Sequence, residues 1–427
     1  MKKILLVSYS FPPSNAPAAQ RAYYFAKYLP ENNIQPFVLT TTKNISSLGY
    51  GNSMNVEGID IIDTSGNSSQ ELKSAKQPIT SKNIVKNSLL KKILVQLMIP
   101  DRGIIWLPSA LKHGAAFLRK NEDVKLIFAT APSFTNLLIA FILSKHFNKK
   151  LICDFRDFYV VNGLFKRVFP LHLLDKLLEQ MLMKHSSQLI FISKNMKWVY
   201  ESKYPSIVSK SNLIYNGYDE NDFKNIATTS IANDRLKIFF AGSLYFESSH
   251  PRDIFQLLDY LESLIRKGLI DKSKIEIKMA AFIHPNLLQK INLHFMKDYI
   301  KLLGVIKREE VLIEMQQANL LWHMLGDSKQ DMGAIPIKTF EYMASKKPVL
   351  FFVPKHAELE EIANDFKLGY TCFLGNAFDD YNQQIIMKAY QEIVLDKKIF
   401  SLDESRFSLF KRNYQATQLA AIINQIN

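Results

Sequence analysis

Short apolar runs alternate with helix-length stretches along this chain, and the alternation starts twice. Lys3 to Ser8 (KILLVS), Gln35 to Thr40, Val124 to Ala129, Lys150 to Asp154, Gln188 to Ser193 and Ser211 to Tyr215 read as strands. Ala18 to Leu29 and Phe134 to His146 read as helices among them. Parallel strands need a long crossover, so strands separated by helices of ~10–15 residues predict an α/β fold with a parallel, doubly wound sheet. Pro36 places its strand near a sheet edge. The rhythm restarts with the strand Leu236 to Ala241, which ends at Gly242-Ser243. Strands at Lys274 to Met279, Leu320 to Met324 and Pro348 to Phe352 follow, with helices at Ile254 to Lys267, Glu309 to Gln317 and Lys338 to Ser345. A polar junction at 219–233 separates the halves and gives domains 1–222 and 223–401. A length of 427 residues accommodates both.

Charge divides the halves further. Residues 1–225 hold 29 Lys/Arg against 16 Asp/Glu, so +13 of the total +14 lies there. A basic first half calls for an anionic surface or substrate. No basic–aromatic module of a nucleic-acid binder is present, so nucleic acid is not the expected partner. Cys153 and Cys372 are too few for a disulfide framework or a thiolate metal site. The opening MKKILLVSYSFPP has too short an apolar run for a signal peptide. No run reaches the ~18 apolar residues of a spanning helix. A soluble protein is expected.

Two stretches nevertheless suit a membrane surface. Ile84, Val85, Leu89, Leu90, Ile93, Leu94 and Leu97 form an apolar stripe, with Lys82, Lys86, Lys91 and Lys92 supplying charge. Such a basic amphipathic helix can lie on an anionic bilayer, or pack on its own domain with a solvated lysine face. Leu164 to Lys184 has a similar balance.

Ligands of open parallel sheets collect at the carboxyl ends of strands, where helix N-termini point their amides. The first such loop, Ser8 to Pro17, leads to Arg21, which either binds phosphate or is an ordinary exposed arginine. Another is Ala129 to Ser133, ahead of a helix. In Cys153-Asp154-Phe155-Arg156-Asp157, Asp157 could act as a base and Arg156 could hold an anion or orient it. A structural Arg–Asp pair is the alternative. Gly242-Ser243 opens space at the first strand end of the second half, with Arg252 beyond. Gly333 to Leu350 carries Lys338 and Glu341 three residues apart, near the start of a helix after Pro336. A lysine for a diphosphate and a glutamate for two ribose hydroxyls make a nucleotide clamp; a local surface ion pair is the plainer reading. No GxGxxG, Walker, HExxH or GxSxG pattern occurs.

These loops, in order and spacing, resemble the family 4 type of GT-B glycosyltransferases, in the bacterial branch with a DFRD-like element. The likeness runs from Ser10-Phe11-Pro12-Pro13 with Arg21 through Ile99-Pro100-Asp101 with Trp106, Ala131-Pro132-Ser133 and Asp154-Phe155-Arg156-Asp157. It continues through Tyr215-Asn216-Gly217-Tyr218-Asp219, Gly242-Ser243-Leu244-Tyr245 and Lys338-Thr339-Phe340-Glu341. The resemblance implies two Rossmann-like domains facing across a cleft, with a C-terminal helix, 402–427, crossing back onto the first. It implies a retaining enzyme of polysaccharide biosynthesis that moves a sugar from a nucleotide-sugar donor to a lipid-linked or surface-polysaccharide acceptor. No metal or other cofactor is expected, and the site would be cytoplasmic, peripheral at the inner face of the plasma membrane. By this likeness Glu341 binds the ribose, and Lys338, Thr339, Arg252, Gly242, Ser243, Ser14 and Asn216 belong to the donor site. Asp157 and Arg156 would lie by the acceptor hydroxyl. Gly333 stands where the family has the first glutamate of a pair, with Asp331 close by in sequence, and glycines of the opening loop are replaced. The alternatives are a non-catalytic or epimerase-type nucleotide-sugar-binding protein.

Overall fold

The structure, a computed structural model, describes residues 1–14, 16–42, 54–65, 96–161, 167–224, 226, 234–244 and 252–426. The chain divides into two compact units, 1–216 with 412–427, and 217–411. In the first, strands β1 (Lys2–Val7), β2 (Ile34–Thr40), β3 (Asp60–Asp63), β4 (Leu126–Ala131), β5 (Lys150–Phe155), β6 (Gln188–Phe191) and β7 (Ser211–Leu213) form one parallel sheet, ordered β3-β2-β1-β4-β5-β6-β7. The alternation of side chains explains why it is wound on both faces. Leu5, Val7, Ile127 and Ala129 enter one apolar core, while Ile4, Leu6, Leu126 and Phe128 enter another. Helix Arg412–Gln425 closes the second core with Ala416, Leu419, Ala420, Ile422 and Ile423, beside Phe25.

In the second unit β8 (Leu236–Leu244), β9 (Ile275–Ile283), β10 (Ile300–Leu302), β11 (Leu320–Met324), β12 (Val349–Val353) and β13 (Gly369–Phe373) form a parallel sheet, ordered β10-β9-β8-β11-β12-β13. Both sheets reverse their strand order once, between β1 and β4 and between β8 and β11. A crevice at the strands' carboxyl ends follows from each reversal.

The strand holding Pro36 lies near a sheet edge as expected, second in the order, between β1 and the edge strand β3. The ladder with β3 begins only at Phe37, so proline stands just ahead of it, where a missing N–H is tolerated. Among the described residues, no helix is long and apolar enough to cross a membrane. Lys82, Lys86, Lys91, Lys92 and the apolar stripe from Ile84 to Leu94 lie outside the described residues.

Candidate functional site

In the second unit, the reversal point gathers side chains from three elements. Gly242, two residues before the end of β8, has φ of +151°, a conformation that side chains rarely adopt. A Cβ there would stand 3.8 Å from Lys338 Nζ and 3.4 Å from the Phe240 ring. Lys338 rises from the first turn of helix Ile337–Ser345, after Pro336 at the N-cap. Its ammonium lies 4.6 Å from the centre of the Phe240 ring. It is buried and has no hydrogen-bond partner among the described residues. Burial first, and Arg252 second, drive its pKa well below the ordinary lysine value. Two cations and a helix N-terminus thus converge where, among the described residues, no carboxylate answers Lys338. That is an anion site in its electrostatics.

The helix is fastened there by its own side chains. Tyr342 Oη accepts from Ala241 N at 3.1 Å and donates to Trp322 O at 3.4 Å, tying it to β8 and β11. Thr339 is buried and its hydroxyl meets His323 Nε2 at 2.9 Å, so it orients the helix rather than a ligand. His323 Nδ1 is buried without a partner among the described residues. Burial, Lys338 and Arg252 push the His323 pKa well down and keep the imidazole neutral.

Glu341 is already engaged. Arg308, the first residue of helix Arg308–Gln317, pairs with the Glu341 carboxylate and, at 2.9 Å, with Asp222 Oδ2. A ribose would have to share or replace the Arg308 contact. Sequence reasoning missed Arg308, since Arg308-Glu309-Glu310 reads as a self-contained first turn. Asp331 takes the Ser328 amide and hydroxyl on Oδ2 at 3.1 and 2.5 Å, which closes its own loop. Ser243 is half-buried near the end of β8, paired with Phe282 of β9. Arg252 also lines a cavity of about 600 Å³ with Tyr260, Leu325, Asp327 and Gly375, beyond the ends of β11 and β13. Asp259, Glu262 and His294 are the described residues placed to share a metal, but His294 already bridges both carboxylates and Glu262 pairs with Arg266.

In the first unit, Arg21 and Arg156 serve the fold. Arg21 and Asp154 form a buried two-point ion pair, with Nε–Oδ2 and Nη2–Oδ1 both 2.8 Å. Arg21 also donates to the carbonyls of Tyr215 and Ile214, and Thr130 donates to Asp154 at 2.6 Å. The phosphate role open to Arg21 in the sequence is therefore replaced by a structural one: it joins the first helix to β5 and the end of β7. Arg156 donates to the carbonyls of Ala131, Pro132 and Ala18. Burial lowers its pKa to about 10, with Asp154 opposing. Asp157 alone of this element presents its side chain to water. Partial desolvation raises its carboxyl pKa, and Arg156 opposes the shift. Ser14 is buried and caps Ala16 N at 3.4 Å. Asn216 Oδ1 is buried without a partner among the described residues. Asp101 takes Gly103 N, Thr135 N and the Ser133 and Thr135 hydroxyls, capping helix Phe134–His146.

The chain aligns with solved structures over nearly its whole length. The fold is GT-B. HepE of Anabaena, solved with UDP, aligns over 99% of this chain and 100% of its own, with TM-score 0.57 and 14% identity. Sucrose-phosphate synthase of Thermosynechococcus elongatus aligns over 100% and 99%, with TM-score 0.60 and 12% identity. A glycosyltransferase of Rickettsia africae aligns over 99% and 98%, with TM-score 0.58 and 15% identity. No family model and no curated protein matches the sequence.

Proposed function

We propose that this GT-B protein is a glycosyltransferase of the family 4 type, which moves a sugar from a nucleotide-sugar donor to a lipid-linked or surface-polysaccharide acceptor with retention. One observation carries the reading: the Lys338 ammonium is buried with no anionic partner among the described residues, beside Arg252 and a helix N-terminus. A diphosphate supplies the missing charge, and charge-assisted bonds to it form in a site already desolvated. The likeness to HepE, which has been solved with UDP, with UDP-glucose and with UDP and glucose, supports a nucleotide-sugar as that anion.

In this reading Lys338 and Arg252 neutralise the diphosphate as it leaves, the task a divalent ion has elsewhere. Glu341 exchanges its contact with Arg308 for the ribose hydroxyls. The bond from the anomeric carbon to the phosphate oxygen breaks as the bond to the acceptor oxygen forms on the same face. The acceptor proton passes to the leaving phosphate, while Asp157 of the first unit orients the acceptor hydroxyl. The reaction belongs at the inner face of the plasma membrane.

Calorimetric titration with UDP in the presence of EDTA tests the reading. The wild-type protein should bind, and Lys338→Met should lose binding by about a hundredfold, the worth of one strong charged contact at ~1.4 kcal/mol per factor of ten. Equal affinity in the variant, or binding that needs a divalent ion, overturns it.

A further inference from the structure

Helix Leu171–His185 is apolar on both faces. Its inner face sends Leu178, Leu182 and Met183 into the core and carries two carboxylates, Asp175 and Glu179, both buried. Its outer face carries Leu173, Leu174, Leu177 and Met181, with Leu174 50% and Leu177 53% exposed. Phe169, just ahead of the helix, is 77% exposed. Soluble helices normally present a polar outer face, and a contiguous exposed apolar patch marks a contact surface.

The inner face has a definite employment. Asp175 accepts from Tyr159 Oη at 2.5 Å and pairs with Arg167 at 2.6 Å. Glu179 accepts the amides of Val160 and Val161 at 2.7 and 3.2 Å, pairs with Lys203 at 3.0 Å and takes the Tyr204 hydroxyl at 2.9 Å. Residues 159–161 continue the loop that presents Asp157. Arg167 also donates to the carbonyls of Gln96, Met98 and Pro100, which brings the exposed Leu97 into the same region. The carboxylates thus bind the Asp157 loop to one side of the helix, while Leu173, Leu174, Leu177 and Met181 stay on the other.

The geometry points to this outer face as the surface by which the protein docks on an anionic lipid bilayer. Charge selects the occupant. Both acids of the helix are spent inward, so its exposed ionisable groups are Lys176, Lys184 and His185. Apolar side chains flanked by lysine match acyl chains beneath anionic headgroups. A second copy meeting the same patch about a twofold axis would set these lysines against their own counterparts. The inference rests on the proposed function only for its consequence: the docked helix holds the Asp157 loop at the interface, where a lipid-borne acceptor arrives.

Flotation of the full chain with vesicles tests it. The protein should float with phosphatidylcholine–phosphatidylglycerol vesicles and not with phosphatidylcholine alone. Leu174→Glu with Leu177→Glu should cut vesicle partition by about tenfold or more, since each leucine withdrawn from the interface forfeits its apolar burial. Lys176→Glu with Lys184→Glu should weaken it less. Both variants should keep the wild-type melting temperature and UDP affinity, because these side chains are exposed and lie in the first unit. Undiminished flotation of the leucine variant, or a wild-type dimer that becomes monomeric in that variant without lipid, overturns the proposal. A wild-type protein that floats but binds no nucleotide upholds the docking surface and removes the glycosyltransferase reading.

Discussion

Arg21 and Lys338 are both buried cations on the helix beside a strand-order reversal, one in each unit, and their surroundings are opposite. Arg21 has a carboxylate at two points and two carbonyls. Lys338 has an aromatic face and a second cation acting on it. A buried charge with a complete set of partners holds structure together, whereas one without them raises the free energy of the empty protein until an anion arrives. Charge and position alone would rank the two alike; the partners separate them.

The contrast can be broken most forcefully at Arg21. Arg21→Met leaves Asp154 buried and unpaired, so the first unit should lose about 3–5 kcal/mol in chemical denaturation. Lys338→Met should match or exceed wild-type stability in the same experiment. A shared loss would erase the distinction. Next in size, Glu341→Ala should weaken UDP binding by about tenfold to a hundredfold, as one or two hydroxyl contacts to a carboxylate disappear. Arg308 keeps Asp222, so the fold should persist. Wild type should also discriminate UDP from an analogue lacking both ribose hydroxyls, and the variant should not; equal discrimination would leave Glu341 to Arg308 alone.

The smallest effect is in pH. Lys338 has a depressed folded pKa against ~10.4 unfolded. Between those values the unfolded chain binds the extra proton, so stability rises with pH across that window. Wild type should therefore gain on Lys338→Met as the solution is made alkaline toward ~10.4. Parallel profiles would restore an ordinary, hydrated ammonium.

Fold class was legible because buried parallel strands announce themselves as apolar runs, and KILLVS or LKIFFA needs no context. Short or mixed strands do not: Ile300–Leu302 has three residues and Gly369–Phe373 opens on glycine, so β10 and β13 went unread. The site was legible as a set of loops and not as a set of partners. Arg21 and Asp154 are 133 residues apart, and Arg308 and Glu341 are 33 apart. No local pattern assigns such pairs, and each locally plausible role was lost or qualified by one. Helix Leu171–His185 shows the same limit. Its sequence states that it is amphipathic, but only its packing shows that Asp175 and Glu179 turn inward beside Leu178 and Leu182, where they hold the Asp157 loop, while Leu174 and Leu177 stay outside.

The return of residues 412–425 to the first unit sets a timetable for biosynthesis. Everything else in that unit has left the ribosome roughly two hundred residues earlier, yet the groove beside Phe25 stays open until Leu419, Ile422 and Ile423 are made. Meanwhile the second unit, 217–411, emerges as one uninterrupted stretch and can complete itself first. The half synthesised first is thus the half finished last, and a nascent chain stalled in its final helix would expose an oily seam to chaperones and proteases.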